Sequence, residues 1–392
     1  MLALTTVMTI LSGLVLLVWT SRHAMISREN RGALVLTPDA PGAADDAPMV
    51  SIIVAAKDEQ ANLEPCVRSL LAQDYPRFEV IICDDRSSDG TGAIADRLAA
   101  EEPRVRAFHI DRLPEGWCGK NHAIVRGAEA ARGEWLCTTD ADCRWGCPRA
   151  LSVAMRHAAD QRAHLLSVLP VLETQTLWEA IVQPVCSGVM MIWFHPDKVN
   201  DPARPNAYAN GAFVLIRRDV YREIGTHEAI RDKVMEDMHL ARRVKQAGRS
   251  LRVVRSHDLY SVRMYRTFGE LMRGWCRIFL GSFGRLRRLL VSWTVLAVMG
   301  LLPYAAAVVG FAHAASSGSA WAWACGVAGA AAVVTQLSVI CRYYRLLGER
   351  AWMALSYPLG CLAAMTAVAW AILKLRPGAT LTWRGTSYAK AS

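Results

Sequence analysis

The apolar positions of the chain follow two regimes. From Val50 to about Ser256, short apolar runs alternate with amphipathic stretches; outside that interval apolar residues come in long blocks. Runs of β-branched and apolar residues bounded by polar or turn residues predict strands over 50–56 (VSIIVAA), 78–83 (FEVIIC), 104–110 (RVRAFHI), 134–139 (EWLCTT) and 164–169 (HLLSVL). Helical patterning fills the gaps at 60–72, 91–100 and 120–131. This β–α alternation predicts an α/β domain built on a mainly parallel sheet with both faces covered. In such sheets ligands gather at the carboxyl ends of the strands, so the residues just past each strand are where chemistry is expected.

The long blocks read as membrane helices. Residues 2–19 (LALTTVMTILSGLVLLVW) carry no charge and reach bilayer length, and Arg22, His23, Arg28 and Arg31 follow them. A signal peptide would carry its positive charge ahead of the apolar run. Placed behind it, the charge holds the following domain in the cytoplasm. Three further stretches, 289–312, 320–341 and 351–373, lack acidic residues and are flanked by Arg285, Arg287, Arg288, Arg342, Arg345 and Arg350. The expected organisation is an N-terminal span (1–22), a linker (23–48), a cytoplasmic α/β domain (49–264), an interfacial amphipathic segment (265–288), about three C-terminal spans (289–375) and a tail (376–392). Residues 176–194 are nearly all apolar and predict a buried helix, with a membrane-dipping helix as the alternative. Lys374, Arg376, Arg384 and Lys390 favour an inside tail, whereas four full crossings would put it outside; the sequence leaves this conflict standing.

Composition agrees with that division. Of 392 residues, 53% are hydrophobic and 20% charged, which suits a soluble domain joined to membrane segments. The net charge of +10 suits an anionic membrane or a phosphate-bearing ligand. The basic residues cluster at membrane flanks rather than on one recognition element, which argues against a nucleic-acid partner. Eleven cysteines include no CxxC pair, so free thiols are expected rather than a zinc site or a disulfide scaffold.

Candidate chemistry sits where the strand pattern places it. Strand 50–56 runs into Lys57, Asp58 and Glu59, and strand 78–83 into Asp84, Asp85 and RSSDGT. Adjacent acids repel unless something binds them, and a carboxylate can accept from a nucleobase N–H or a ribose hydroxyl. Ser88 or Asp89 is also a reasonable cap for the helix that follows. Strand 134–139 ends at Asp140-Ala141-Asp142; on extended backbone, residues two apart point the same way and can face one hard divalent cation, Mg²⁺ or Mn²⁺. GWCGKNH (116–122) opens a helix, placing Lys120 and Asn121 in a first turn that can meet a diphosphate. In NAYANGAFVLIRR, Asn210-Gly211-Ala212 precede a strand and suggest either close backbone approach to a ligand or an ordinary turn. Glu236 and Asp237 begin a helix, where acids are favoured by the dipole but can also serve as a general base. In ELMRGWCR, Trp275 and the arginines are either interfacial anchors or, in the case of Arg273 or Arg277, a contact for a leaving diphosphate.

Taken together and in order, these pieces resemble the family-2 inverting glycosyltransferases of the GT-A fold. They cover about residues 50–280. Within that family the chain resembles the membrane lipid-modifying branch, which includes ceramide glucosyltransferases and hopanoid- and carotenoid-associated enzymes. The resemblance implies a nucleotide-sugar donor, with Asp58, Glu59, Asp84, Asp85, Lys120, Asn121, Asp140, Arg273 and Trp275 on the donor side. Asp85 beside Asp84 would hold uracil or ribose, and Lys120 the diphosphate. Asp142 with Asp140 would hold the metal, and Asp237 beside Glu236 would be the base. Asn210, Gly211 and Ala212 would face a lipid or isoprenoid-type acceptor. Processive synthases of the family carry Gln-x-x-Arg-Trp; this chain has Glu270-Leu-Met-Arg273-Gly-Trp275. One sugar added to a membrane lipid is therefore the expectation, with a processive polysaccharide synthase as the alternative.

Overall fold

The computed structural model describes residues 2–29, 34–376, 380–383 and 386–389. The chain divides into two compact units. One comprises residues 33–173 and 191–264 with the segment 380–392; the other is helical and comprises 1–32, 174–190 and 265–379.

The first unit is built on an eight-stranded sheet. Across it the strands run 35–36, 251–256, 165–169, 214–217, 135–140, 50–56, 78–85 and 105–110. All neighbours pair in parallel except Val214–Arg217, which is antiparallel to both of its partners. The five expected strands form within a residue or two of their predicted limits, and the helices between them are Leu63–Leu71, Thr91–Glu101 and Gly119–Ala130. Strand Phe78–Asp85 is buried along its whole length, including both terminal aspartates. The core between sheet and helices is aliphatic, with Ile52, Val54, Val80 and Ile82 meeting Leu63, Leu70 and Leu98, all essentially without solvent contact. The sheet was expected to begin at Val50, but Val35–Leu36, from the segment read as a linker, adds an edge strand beside Arg255–Ser256. A small second sheet joins Cys143–Arg144, Ser261–Val262 and Val171–Leu172.

This topology gathers the motifs at one edge. A helix returning to a parallel strand starts at the carboxyl edge of the sheet, which places the first turns of Thr91–Glu101, Gly119–Ala130 and Glu236–Gln246 there. An antiparallel strand starts at that edge as well, so Val214–Arg217 delivers the preceding Asn210-Gly211 turn to it.

In the helical unit the first helix runs Leu2–Glu29, past the expected end of the span at residue 22. Helices at Ala3–Ile26, Leu177–Asn200, Leu286–Ser317, Ala320–Leu346 and Ala351–Leu373 are long and apolar enough to cross a membrane. Residues 177–190 of the second of these pack within the unit. Val182 and Cys186 have no solvent exposure, and Tyr343 donates its hydroxyl to the Pro184 carbonyl at 3.2 Å. Pro303 explains one irregular stretch among the C-terminal helices. Lacking an N–H, it cannot close the turn before it, and residues Leu296–Leu301 widen into a π-type turn. The freed carbonyls are met by side chains: Gln336 Nε2 donates to Met299 O at 2.6 Å, and Trp19 Nε1 donates to the same oxygen at 3.1 Å. Gln336→Leu should therefore cost about 1–3 kcal/mol by leaving a buried carbonyl short of a donor, seen as a lower melting temperature of the purified protein; an unchanged melt would mean that Trp19 suffices. Residues 380–383 and 386–389 pair as an antiparallel hairpin; Arg384 and Lys390, on which the tail argument leaned, lie outside the described residues.

Candidate active site

The site is built around Lys120. Its ammonium lies 2.6 Å from Asp140 Oδ1 and 2.6 Å from Glu236 Oε1, tying the end of strand Trp135–Asp140 to the start of helix Glu236–Gln246. Burial works against a charged lysine here, but Asp140 and Glu236 outweigh it and hold the Lys120 pKa well above its ordinary value. Asp237 behaves in the opposite way. Burial, and next to it the Glu236 carboxylate, push its pKa up to about 7, although Lys120 and backbone N–H groups pull downward. Those N–H groups are Gly211, donating to Asp237 Oδ2 at 2.9 Å, and Met238, donating to Oδ1 at 2.7 Å. A carboxylate titrating near neutrality can take up a proton at physiological pH, as a general base must.

Two glycines allow this arrangement. A Cβ on Gly211 would lie 2.9 Å from Lys120 Nζ and 3.0 Å from Glu236 Oε1, so a side chain there would push the ends of the ion pair aside. A Cβ on Gly119 would lie 2.2 Å from Asp85 Oδ2, so Gly119 lets the lysine-bearing helix start directly against the acid pair.

The acid pair itself is divided between two jobs. Both oxygens of Asp85 accept from Arg86, at 2.8 and 3.0 Å. Asp84 Oδ2 pairs with His109 Nδ1 at 3.1 Å, and its Oδ1 is buried with no hydrogen-bond partner among the described residues. Asp58 and Arg86 both adopt left-handed backbone, at φ 53° and 56°. Such conformations are costly for non-glycine residues and are held by their surroundings. Around Asp58 the holding groups are Ser88, whose N–H donates to Asp58 Oδ1 at 2.7 Å, and Ser87, whose Oγ accepts from the Asp58 N–H at 3.0 Å. Glu59 is buried and accepts from Asn62 Nδ2 at 2.8 Å. Asp58 and Glu59, expected on the donor side, thus have their carboxylates engaged by the adjoining loops. Asp89 rather than Ser88 supports the helix start, its Oδ1 accepting from Thr91 N–H at 3.0 Å.

Several site residues sit differently from expectation. The backbone turns at Ala141-Asp142 before re-extending at Cys143, so the argument that an extended strand end aligns Asp140 with Asp142 does not apply. Asn121 is 1% exposed, and its amide donates to the carbonyls of Ile230, Arg231 and Lys233 at 2.8, 3.2 and 2.9 Å. It anchors the loop leading into Glu236, a role a lone Asn in GKNH does not announce. Arg273 and Trp275 lie on helix Phe268–Phe283 of the helical unit. Trp275 is buried, with its ring 5.6 Å from Phe279, and does not stand at the surface as an interfacial anchor would. Ala212 is held by the turn: its N–H donates to Asn210 Oδ1 at 3.0 Å and its carbonyl accepts from Thr139 Oγ1 at 2.8 Å. Arg86, Thr139 and the Asn121 anchor were not singled out from the sequence; for Arg86 the signal was present, a cation following two acids at a strand end.

Residues 51–225 match the family model described as Glycosyl transferase family 2. The chain carries a glycosyltransferase family 2 domain. Among curated relatives, this domain is similar to the GalNAc(5)-diNAcBac-PP-undecaprenol beta-1,3-glucosyltransferase of Campylobacter jejuni, 30% identical over 30% of this chain and 37% of that protein. It is also similar to the 4,4'-diaponeurosporenoate glycosyltransferase of Staphylococcus haemolyticus, 23% identical over 58% of this chain and 60% of that one. The alignments take in less than two thirds of the length of these relatives. Among solved structures, the mannosyltransferase PcManGT of Pyrobaculum calidifontis, in complex with GDP-Man and Mn²⁺, superposes with a TM-score of 0.51 at 18% identity, covering 90% of this chain and 99% of that one. The family-2 domain thus has the GT-A fold, with apolar helices on both sides of it in the sequence.

Proposed function

We propose that this protein is an inverting glycosyltransferase that moves one sugar from a nucleotide-sugar, for which we take a UDP-sugar, to a hydroxyl of a lipid-like acceptor at the cytoplasmic face of the membrane. The observation that carries the reading is the cluster at the carboxyl edge of the sheet: one cation, Lys120, between Asp140 and Glu236, with Asp237 beside them held near neutrality. A lysine on a helix first turn suits a departing diphosphate. Asp237 takes the acceptor's proton as its oxygen attacks the anomeric carbon and the bond to the diphosphate breaks.

Asp140 and Asp142, on either side of the turn that follows strand Trp135–Asp140, are the residues that would hold a divalent cation. Among the described residues no three His, Cys, Asp or Glu side chains converge as a closed metal cage. Asp140 and Asp142 offer two carboxylates, the number with which Mg²⁺ or Mn²⁺ is commonly held when phosphates complete its shell. Bound there, the ion would supply neutralising charge to the leaving diphosphate.

The lipid acceptor is supported by the five apolar helices and by relatives whose names carry undecaprenol and 4,4'-diaponeurosporenoate. In the helical unit Trp178 and Phe268, 47% and 44% exposed, pack with ring centroids 4.8 Å apart. Exposed aromatics of this kind, with Phe268 lying between Arg266 and Arg273 in the sequence, suit a bilayer interface. The positive charge behind the first helix supports a cytoplasmic domain.

The test is transfer in membranes containing the protein, with Mn²⁺ and radiolabelled UDP-glucose, UDP-galactose, UDP-N-acetylglucosamine and GDP-mannose. Label from one donor should enter the organic extract and vanish with Asp142→Asn. Label in insoluble polymer would overturn the reading in favour of a processive synthase.

A further inference from the structure

We propose that Ser167, in the middle of strand Leu165–Leu169, is a positioning residue that aims the Gly211 N–H at Asp237; this rests on the role given to Asp237 above. Ser167 has no solvent exposure and stands in an otherwise aliphatic run, LLSVL. A hydroxyl in such a place costs free energy unless it is bonded, and its bonds go to one residue. Its Oγ accepts from the Asn210 N–H at 2.8 Å and donates to the Asn210 carbonyl at 3.4 Å. That carbonyl belongs to the same planar peptide unit as the Gly211 N–H, so fixing one fixes the direction of the other. The Gly211 N–H then donates to Asp237 Oδ2 at 2.9 Å. Beyond the peptide, Asn210 Oδ1 and Thr139 Oγ1 hold Ala212, so the turn is fixed on both sides of Gly211.

A hydrogen bond to a carboxylate favours its ionised form. Ser167 therefore controls both where the Asp237 carboxylate points and how readily it gives up its proton. The other groups acting on that proton are Glu236 and the Met238 N–H from its own helix, Lys120 from helix Gly119–Ala130, and Tyr208 from the segment before the turn. None of them bonds Ser167, so a change at Ser167 reaches Asp237 through the peptide.

The experiment uses the full chain in lipid nanodiscs and needs no donor. The protonation of Asp237 is followed by infrared pH titration, with Asp237→Asn subtracted to assign its carboxyl band. Ser167→Ala should raise the midpoint by about 0.5–1 pH unit, the equivalent of one modest hydrogen bond, with little change in melting temperature. Ser167→Cys, which keeps the volume with a weaker bonding group, should fall between the two and covers the case in which the alanine variant does not fold. With the donor that labels lipid, Ser167→Ala should lower kcat about 10-fold at pH 7 and leave the donor KM unchanged. A folded Ser167→Ala or Ser167→Cys protein with the wild-type midpoint overturns the proposal while Asp237 keeps its role. An Asp237→Asn protein that transfers sugar at the wild-type rate overturns the role of Asp237 itself, and the Ser167 proposal with it.

Discussion

Asp237→Asn should lower sugar transfer by about 10³-fold, within the range that a positioned general base contributes, while binding of UDP with Mn²⁺ stays within a few-fold of wild type. The expectation follows from what the substitution keeps. The Gly211 and Met238 N–H groups bond separate carboxylate oxygens, so an asparagine at 237 keeps one of these bonds through its single amide oxygen and loses the other, while the ion pairs of Lys120 with Asp140 and Glu236 keep both partners. What disappears is a group able to take up a proton near neutrality. For the same reason wild-type turnover should climb with pH through about 7: burial and the Glu236 charge raise the Asp237 pKa to that value, and the base is competent only above it. The rising limb should be absent from the residual activity of the variant. Single-turnover transfer and calorimetric titration with UDP separate the two effects. Loss of nucleotide binding in Asp237→Asn would show that the residue belongs to the donor pocket instead.

Lys120→Met should damage both fold and activity. The methionine keeps an apolar stem of similar length but leaves Asp140 and Glu236 without the ammonium that sits 2.6 Å from each. Removing one partner of a buried ion pair costs about 3–5 kcal/mol. Glu236 is almost fully enclosed, at 9% side-chain exposure, whereas Asp140 is 36% exposed, so the loss belongs at the lower end of that range. The melting temperature of the purified protein should fall by several degrees and transfer should drop by two orders of magnitude or more. Added Mn²⁺ should restore part of the melting temperature, because a divalent ion at Asp140 and Asp142 returns positive charge to the cluster, and restore little of the activity. An unchanged melt would mean that solvent screens the two carboxylates from one another.

The sequence by itself determined the elements and the edge at which they do their chemistry. Strands such as VSIIVAA and FEVIIC are legible because β propensity and flanking turn residues act over a few neighbours, and both strands formed with at most two residues of difference at an end. The acids past those strands, the first turn holding Lys120 and the helix opened by Glu236-Asp237 followed from local pattern, and the membrane blocks from hydropathy and arginine flanks. Only the tertiary structure decided what each side chain pairs with. It inserted Val214–Arg217 antiparallel between two parallel neighbours, which brings Gly211 to Asp237. It drew Val35–Leu36 out of an apparent linker into the sheet, and turned the backbone at Asp142. It engaged Asp85 with Arg86 and gave the Asn121 amide to a loop more than a hundred residues away in the chain. It also put Trp275 inside a helical unit instead of at its surface. The physical reason is one of range: periodicity and capping are fixed by residues within a turn or a strand. Ion pairs, buried hydroxyls and strand order are fixed by whichever distant groups the folded chain places within about 3 Å, the reach of a hydrogen bond.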